Sequence, residues 1–245
     1  MTGPSPGTRA RLDDVHARIR RAALVAGRDP AGVLLIAVAK TWPADAVAEA
    51  VRAGVTDIGE NRAQELSQKS ALPGDRVRWH FVGALQTNKV RAVVGTAVLV
   101  HSVDRIELAD AIAGRARSAG ISQEVLIEVN VSGEESKNGV ETSAALGFAE
   151  EVGRLEGVTV RGLMTIPPLA ADPEASRPHF RELARLGAEL KGRVAGASEL
   201  SMGMTGDFEV AIEEGATMIR LGEAVFGPRS AARARPDRSA TPRRA

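Results

Sequence analysis

From about residue 33 to residue 222 the chain alternates between short apolar runs and longer segments whose apolar positions recur every three or four residues. The runs are VLLIAVAK (33–40), TDIGEN (56–61), RWHFVG (78–83), AVLVHSV (97–103), EVLIEVNV (124–131), TVRGLMTI (159–166), ELSMGM (199–204) and TMIRLG (217–222). Near-continuous apolar runs of this length are what parallel strands buried on both faces look like. The segments between them, 43–53, 62–72, 87–94, 104–119, 139–155, 173–190 and 206–214, carry helical spacing and end at glycine or proline stops. Phe180, Leu183, Leu186 and Leu190 make the clearest such stripe.

A further helix is predicted ahead of the first strand, from Thr8 to about Ala26, on the stripe Leu12, Val15, Ile19, Ala22 and Ala23. Eight strand–helix units in one chain predict an α/β fold, a single (β/α)8 TIM barrel with an additional N-terminal helix. A doubly wound open sheet is the competing arrangement. It usually places a glycine-rich nucleotide loop after the first strand, and no GxGxxG stands there. The implied domain organisation is a flexible N-terminus over 1–10, the barrel over 11–227, and a basic tail over 228–245 that reads as disordered.

Composition narrows the function classes. The net charge is +1, but the tail holds six Arg and one Asp, which leaves the rest of the chain at −4. A mildly acidic body argues against specific nucleic-acid binding. There is no cysteine, hence no disulfide framework, thiol nucleophile or thiolate metal site. The histidines, His16, His80, His101 and His179, have no metal-ligand spacing, so no metal site is expected. No signal-like run opens the chain and no stretch is apolar enough to span a membrane, so a cytoplasmic location is expected.

In a barrel the chemistry gathers at the C-terminal ends of the strands. Lys40, Asn61, His80, Ser201 and Arg220 fall at or near those ends. Lys40 shares the parity of Ile36 and Val38 on the first strand. With Val38 and Ala39 beside it, an amine in apolar surroundings would be a nucleophile towards an aldehyde; the bland reading is a lysine snorkelling to solvent. Around the seventh strand, Ser201 and Thr205 offer hydroxyls, and Gly203 and Gly206 let backbone amides approach an anion. RLGEAVFG (220–227) could complete such a site, since barrels often bind phosphate between their last two strands. Arg220, inside a strand, needs either a structural partner or a ligand.

Seven segments carry a resemblance: AVAKT (37–41), IGENRAQE (58–65), WHFVGALQTNK (79–89), IEVNVSGEESKNG (127–139), RGLMTIPP (161–168), LSMGMTGDFEVAI (200–212) and IRLGEAVFG (219–227). Together they resemble the pyridoxal phosphate homeostasis protein family, which is related to the N-terminal barrel of alanine racemase. The resemblance implies pyridoxal 5′-phosphate as cofactor, covalently attached to Lys40 as an internal aldimine. It implies phosphate contacts from Ser201, Thr205 and amides around Gly222, and directs Arg220 towards the pyridine nitrogen. Asn61 lines the cofactor region, with His80, Met164 and Gly203 as further neighbours. Ala39 stands where relatives commonly have Ser, which should alter only local polarity. An Arg, which does not give up its proton, leaves the pyridine nitrogen unprotonated and weakens the ring as an electron sink.

The resemblance further implies a noncatalytic, monomeric module. It would hold the cofactor and contribute to vitamin B6 and amino-acid homeostasis, with recipient apoenzymes as partners. The alternative is a pyridoxal-phosphate-dependent amino-acid racemase. Two-base racemisation in the alanine racemase manner uses a Lys and a Tyr, and this chain contains no Tyr. A different phosphate-substrate barrel enzyme using Lys40 would leave the seven-segment match unexplained.

Overall fold

The computed structural model describes residues 6–71, 77–134 and 136–228. Its strands are β1 (Leu34–Val38), β2 (Asp57–Glu60), β3 (Arg78–Phe81), β4 (Leu99–Val103), β5 (Gln123–Asn130), β6 (Val140–Glu141), β7 (Val158–Met164), β8 (Glu199–Ser201) and β9 (Met218–Leu221). All pairings between them are parallel, in the order β4-β3-β2-β1-β9-β8-β7-β5, and a β4–β5 pairing closes the circle. The fold is therefore a closed eight-stranded parallel barrel, and each of the eight expected strands is present. The two-residue β6 hangs on β5 outside the ring.

The helices are α1 (Pro6–Val25), α2 (Ala44–Arg52), α3 (Ala63–Ser70), α4 (Val90–Val93), α5 (Ile106–Ser118), α6 (Ala145–Gly153), α7 (Arg177–Leu190), α8 (Phe208–Glu213) and α9 (Glu223–Phe226). On α1 the predicted stripe Leu12, Val15, Ile19, Ala22 and Ala23 is buried, and on α7 so are Phe180, Leu183, Leu186 and Leu190. Each large aliphatic or aromatic side chain so buried contributes about 2 kcal/mol. Helix α1 packs on α8 and α9. Arg18 makes two bonds to the Glu209 carboxylate at 2.7 and 3.2 Å and lies 4.5 Å over the Phe208 ring. Arg11 Nε donates to the Val225 carbonyl at 2.8 Å.

Two expectations need correction. Residues 6–10 belong to α1 instead of a flexible terminus, with Thr8 buried and donating to Glu49 Oε1 at 2.5 Å. The helix expected over 139–155 is shorter, because Val140 and Glu141 first pair with Val129 and Asn130 as β6. Gly139 permits that close approach: its φ is +114°, and an added Cβ would sit 2.6 Å from the Asn130 amide nitrogen. The segment after β9, for which the sequence pattern predicts no element, contains α9. The Pro73-Gly74 stop lies outside the described residues, as does the basic tail over 228–245 apart from Pro228.

Ile36, Leu99, Leu126, Met164 and Met218 form an apolar layer inside the barrel, drawn from five strands. No helix among the described residues is long and apolar enough to cross a membrane.

Candidate functional site

Above that apolar layer the barrel interior turns polar. The parity that sends Ile36 inward continues to Val38 and Lys40, and both line a cavity of 590 Å³ at the C-terminal mouth. Asn61 after β2, Gly83 after β3, Glu128 on β5, Thr205 after β8, and Arg220 and Gly222 at the end of β9 line the same space. Residues from six strand exits thus converge on one opening.

Lys40 is exposed at this mouth. The apolar enclosure expected from its neighbours is absent, because Ala39 is buried on the opposite face of the strand and only Val38 shares the cavity. What the structure supplies instead is a rigid turn. Trp42 N donates to the Ala39 carbonyl at 3.1 Å, closing a β-turn with Lys40 and Thr41 at its centre. Thr41 has φ +68° and is the only non-glycine residue at positive φ among those described. A β-branched residue in this region is strained by about 1–3 kcal/mol and persists only where its surroundings impose it. Those surroundings are identifiable. Lys69 Nζ donates to the Ala39 carbonyl at 2.9 Å, and Thr41 N donates to Glu65 Oε2 at 3.3 Å. The Trp42 ring stacks on Phe226 with centroids 5.6 Å apart.

Arg220 is buried, with Nη1 donating to Ser201 Oγ at 2.5 Å and Nη2 to the Thr165 carbonyl at 2.9 Å. Burial pulls its guanidinium down to about 10, against the attraction of Glu128 and Asp207, so its charge survives at neutral pH. Ser201 does not line the cavity. Its hydroxyl lies beneath the floor, 2.9 Å from His101 Nδ1. His101 Nε2 meets His80 Nδ1 at 3.0 Å, and His80 Nε2 meets Asp57 Oδ1 at 2.9 Å. Burial holds the His101 ring well below its ordinary value, hence neutral, with His80 and Arg220 adding to the effect. Burial acts to raise the Asp57 carboxyl, but donations from His80, Arg78 and Thr56 outweigh it and leave the group below its ordinary value, hence ionised.

Met164 sits in the apolar layer and Gly203 is buried just after β8, and neither lines the cavity. At Gly203 φ is +91°, and an added Cβ would lie 2.6 Å from the Ala211 Cβ and 2.9 Å from the Phe208 Cα. That glycine lets α8 close onto the strand exit. Of the sequence-derived residues, Lys40, Asn61, Thr205, Arg220 and Gly222 face the cavity, while Ser201, His80, Met164 and Gly203 lie behind it.

Sequence reasoning missed Glu128, His101 and Asp57. Glu128 is a carboxyl in the cavity wall that burial raises to about 7, with Asp104 adding to the rise and Arg220 opposing it. Strand parity carried the signal: Glu128 stands two residues after inward-facing Leu126, and His101 two after inward-facing Leu99.

The residues present fit pyridoxal 5′-phosphate on the chemistry of the donor set. A primary amine, a guanidinium, the Thr205 hydroxyl and the amides near Gly206 and Gly222 face one space. The Asn61 Oδ1 atom is buried with no hydrogen-bond partner. Gly222 has an ordinary φ of −101°, and an added Cβ would meet only the Val38 carbonyl at 3.5 Å. Among the described residues no group of three His, Asp or Glu side chains could hold a metal ion.

Residues 11–230 match the protein-family model described as "Alanine racemase, N-terminal domain". The pyridoxal phosphate homeostasis protein of Aquifex aeolicus is 48% identical over 221 residues, covering 89% of this chain and 97% of that protein. A crystal structure of a protein from Bifidobacterium adolescentis superposes with a TM-score of 0.84 at 36% identity, covering 89% of this chain and 94% of that one. PipY of Synechococcus elongatus, solved with PLP bound, superposes with a TM-score of 0.73 at 35% identity, covering 86% of this chain and all 100% of that one.

Proposed function

This chain belongs to the pyridoxal phosphate homeostasis protein family, and from that premise we propose that it holds pyridoxal 5′-phosphate covalently on Lys40 without turning over a substrate. In this reading it contributes to vitamin B6 and amino-acid homeostasis in the cytoplasm and passes the cofactor to recipient apoenzymes. The observation that carries the proposal is the convergence of Lys40, Asn61, Thr205, Arg220 and Gly222, far apart in the chain, on one 590 Å³ cavity.

When bound, the cofactor supplies an aldehyde that condenses with a primary amine and a ring that draws electrons from it. The protein's part is positioning. Lys40 projects its amine into the mouth from a turn clamped on both sides. Thr205 and the amides around Gly206 and Gly222 bind the phosphate at the opposite edge. Arg220 presents N–H groups to the ring nitrogen. It remains charged at neutral pH, and an arginine is a hydrogen-bond donor only. Its partner nitrogen therefore keeps its lone pair, and the ring stays a weak electron sink.

Racemisation finds less support. The Tyr that would act as second base is absent from the whole chain, so a second copy could not lend one.

Borohydride reduction of the cofactor-loaded protein, with peptide mass spectrometry as readout, tests the proposal. The reduced adduct is expected on Lys40 and lost in Lys40→Ala, which should retain weak, reversible binding through the phosphate. Absence of label on Lys40 in the parent protein would reject the reading. Cofactor-dependent exchange of the Cα hydrogen of amino acids in D2O, with enantiomer conversion, would replace it by catalysis.

A further inference from the structure

Five buried polar side chains cross the barrel interior in one unbroken hydrogen-bonded series. Asp57, His80 and His101 come from the adjacent strands β2, β3 and β4, and Ser201 and Arg220 from β8 and β9 on the other side. With one hydrogen on each imidazole, the two ends of the series set the direction of every bond in it. Arg220 is a donor only, so Ser201 Oγ accepts at that contact. The Ser201 hydroxyl hydrogen then goes to His101 Nδ1, 2.9 Å away. With Nδ1 accepting, the neutral His101 ring carries its hydrogen on Nε2 and donates to His80 Nδ1. His80 in turn carries its hydrogen on Nε2 and donates to the ionised Asp57, whose other oxygen is taken by Arg78 and Thr56. Each group then donates towards Asp57; a second hydrogen on His80 would instead reverse both contacts of His101.

We propose that Asp57, His80, His101 and Ser201 are positioning residues that lock Arg220 in the orientation presented to the ring nitrogen of the cofactor, and that Ser201 does not anchor the phosphate. The proposal rests on the pyridoxal phosphate reading for what Arg220 faces. It stands on this chain's geometry for the rest. In that arrangement the Ser201 hydroxyl spends its single hydrogen on His101 and has none for a phosphate oxygen. Arg220 is held at two points, Ser201 Oγ and the Thr165 carbonyl, and its remaining N–H groups are those available to the cavity. A long side chain fixed at two points by charge-assisted bonds loses most of its rotameric freedom before the ligand arrives, which is how preorganisation adds affinity.

Two measurements test this. The first uses ligand-free protein with the other two histidines replaced, His16→Gln and His179→Gln, so that only the interior imidazoles report. Long-range 1H–15N correlation at neutral pH should find both rings neutral, with hydrogen on Nε2 and none on Nδ1. A hydrogen on Nδ1 of either ring, or an imidazolium, overturns the proposed direction. The second compares Ser201→Ala with the parent for two probes: pyridoxal 5′-phosphate, and its analogue with carbon in place of the ring nitrogen. Freed from Ser201, Arg220 should cost the nitrogen-bearing probe about tenfold in affinity, the scale of one charge-assisted hydrogen bond. The carbon analogue should lose nothing. Equal loss for both probes assigns Ser201 to the phosphate and overturns the proposal, as does no loss for either. Failure of the parent to bind either probe rejects the cofactor reading, while the tautomer measurement still decides the interior series.

Discussion

Lys69 Nζ lies 2.9 Å from the carbonyl oxygen of Ala39, the residue immediately before Lys40. The same ammonium bonds Glu60 Oε1 at 2.5 Å and Glu65 Oε2 at 3.1 Å, and Glu65 holds the Thr41 amide on the far side of Lys40. One largely buried lysine on α3 therefore ties down the two residues that flank an exposed one. Burial raises the Glu60 carboxyl, and the bond from Lys69 opposes that rise, so the lysine is also what keeps Glu60 satisfied.

Lys69→Met should destabilise the protein by about 3 kcal/mol, because it strands a fully buried carboxyl. Urea unfolding measures the loss. The double variant Lys69→Met with Glu60→Gln should recover much of it, since no charge is then left unpaired. In both variants the Ala39 carbonyl loses a donor, and condensation of Lys40 with pyridoxal 5′-phosphate, monitored by absorbance, should slow. An unchanged rate would show that the β-turn bond from Trp42 suffices.

Glu128 gives the ligand-free protein a signed pH dependence. Its carboxyl sits at about 7 in the fold against an ordinary 4.5. The folded state therefore binds the proton more tightly than the unfolded chain. The associated stability is fully present below about pH 4.5 and is lost as pH rises to 7, a total on the order of 3 kcal/mol. Glu128→Gln removes this dependence. Compared with the parent by urea unfolding, it should differ little at about pH 5 and be clearly more stable at about pH 8. Parallel pH profiles for the two proteins would contradict the assignment.

Gly83 is required by contact, not by φ. A Cβ there would lie 2.4 Å from the Asn61 carbonyl oxygen and 2.7 Å from its Cα and Cβ. Because backbone must move, Gly83→Ala should cost about 1–3 kcal/mol. It should also push Asn61 out of the cavity wall. Thermal unfolding and equilibrium dialysis with pyridoxal 5′-phosphate should both register the change. Full affinity in a destabilised variant would mean that Asn61 contributes nothing to the ligand.

The strands and the long helices were legible because their apolar periods are local properties. Strand parity put Lys40 on the inward side, and α1 and α7 buried the stripes read from their spacing. Helix α9 escaped because its four residues are too few to display a period. Position 139 misled because its glycine serves a close approach to β5, a partner invisible along the chain.

The site divides in the same way. The sequence alone determined the barrel, the strand exits and the polar residues standing at them, since alternation specifies which face a side chain takes. Depth and partnership were decided only by the tertiary structure. Ser201 and His80 share the inward face with the cavity residues, but the barrel's curvature places them one layer lower, bonded to each other through His101. Closure of the ring brings β4 across from β8 and β9, and only then does Asp57 acquire a connection, through His80 and His101, to Arg220. His101 and Ser201 stand 100 positions apart. A hydrogen bond across such a separation leaves no period in the sequence, because it is satisfied by geometry that no local segment contains.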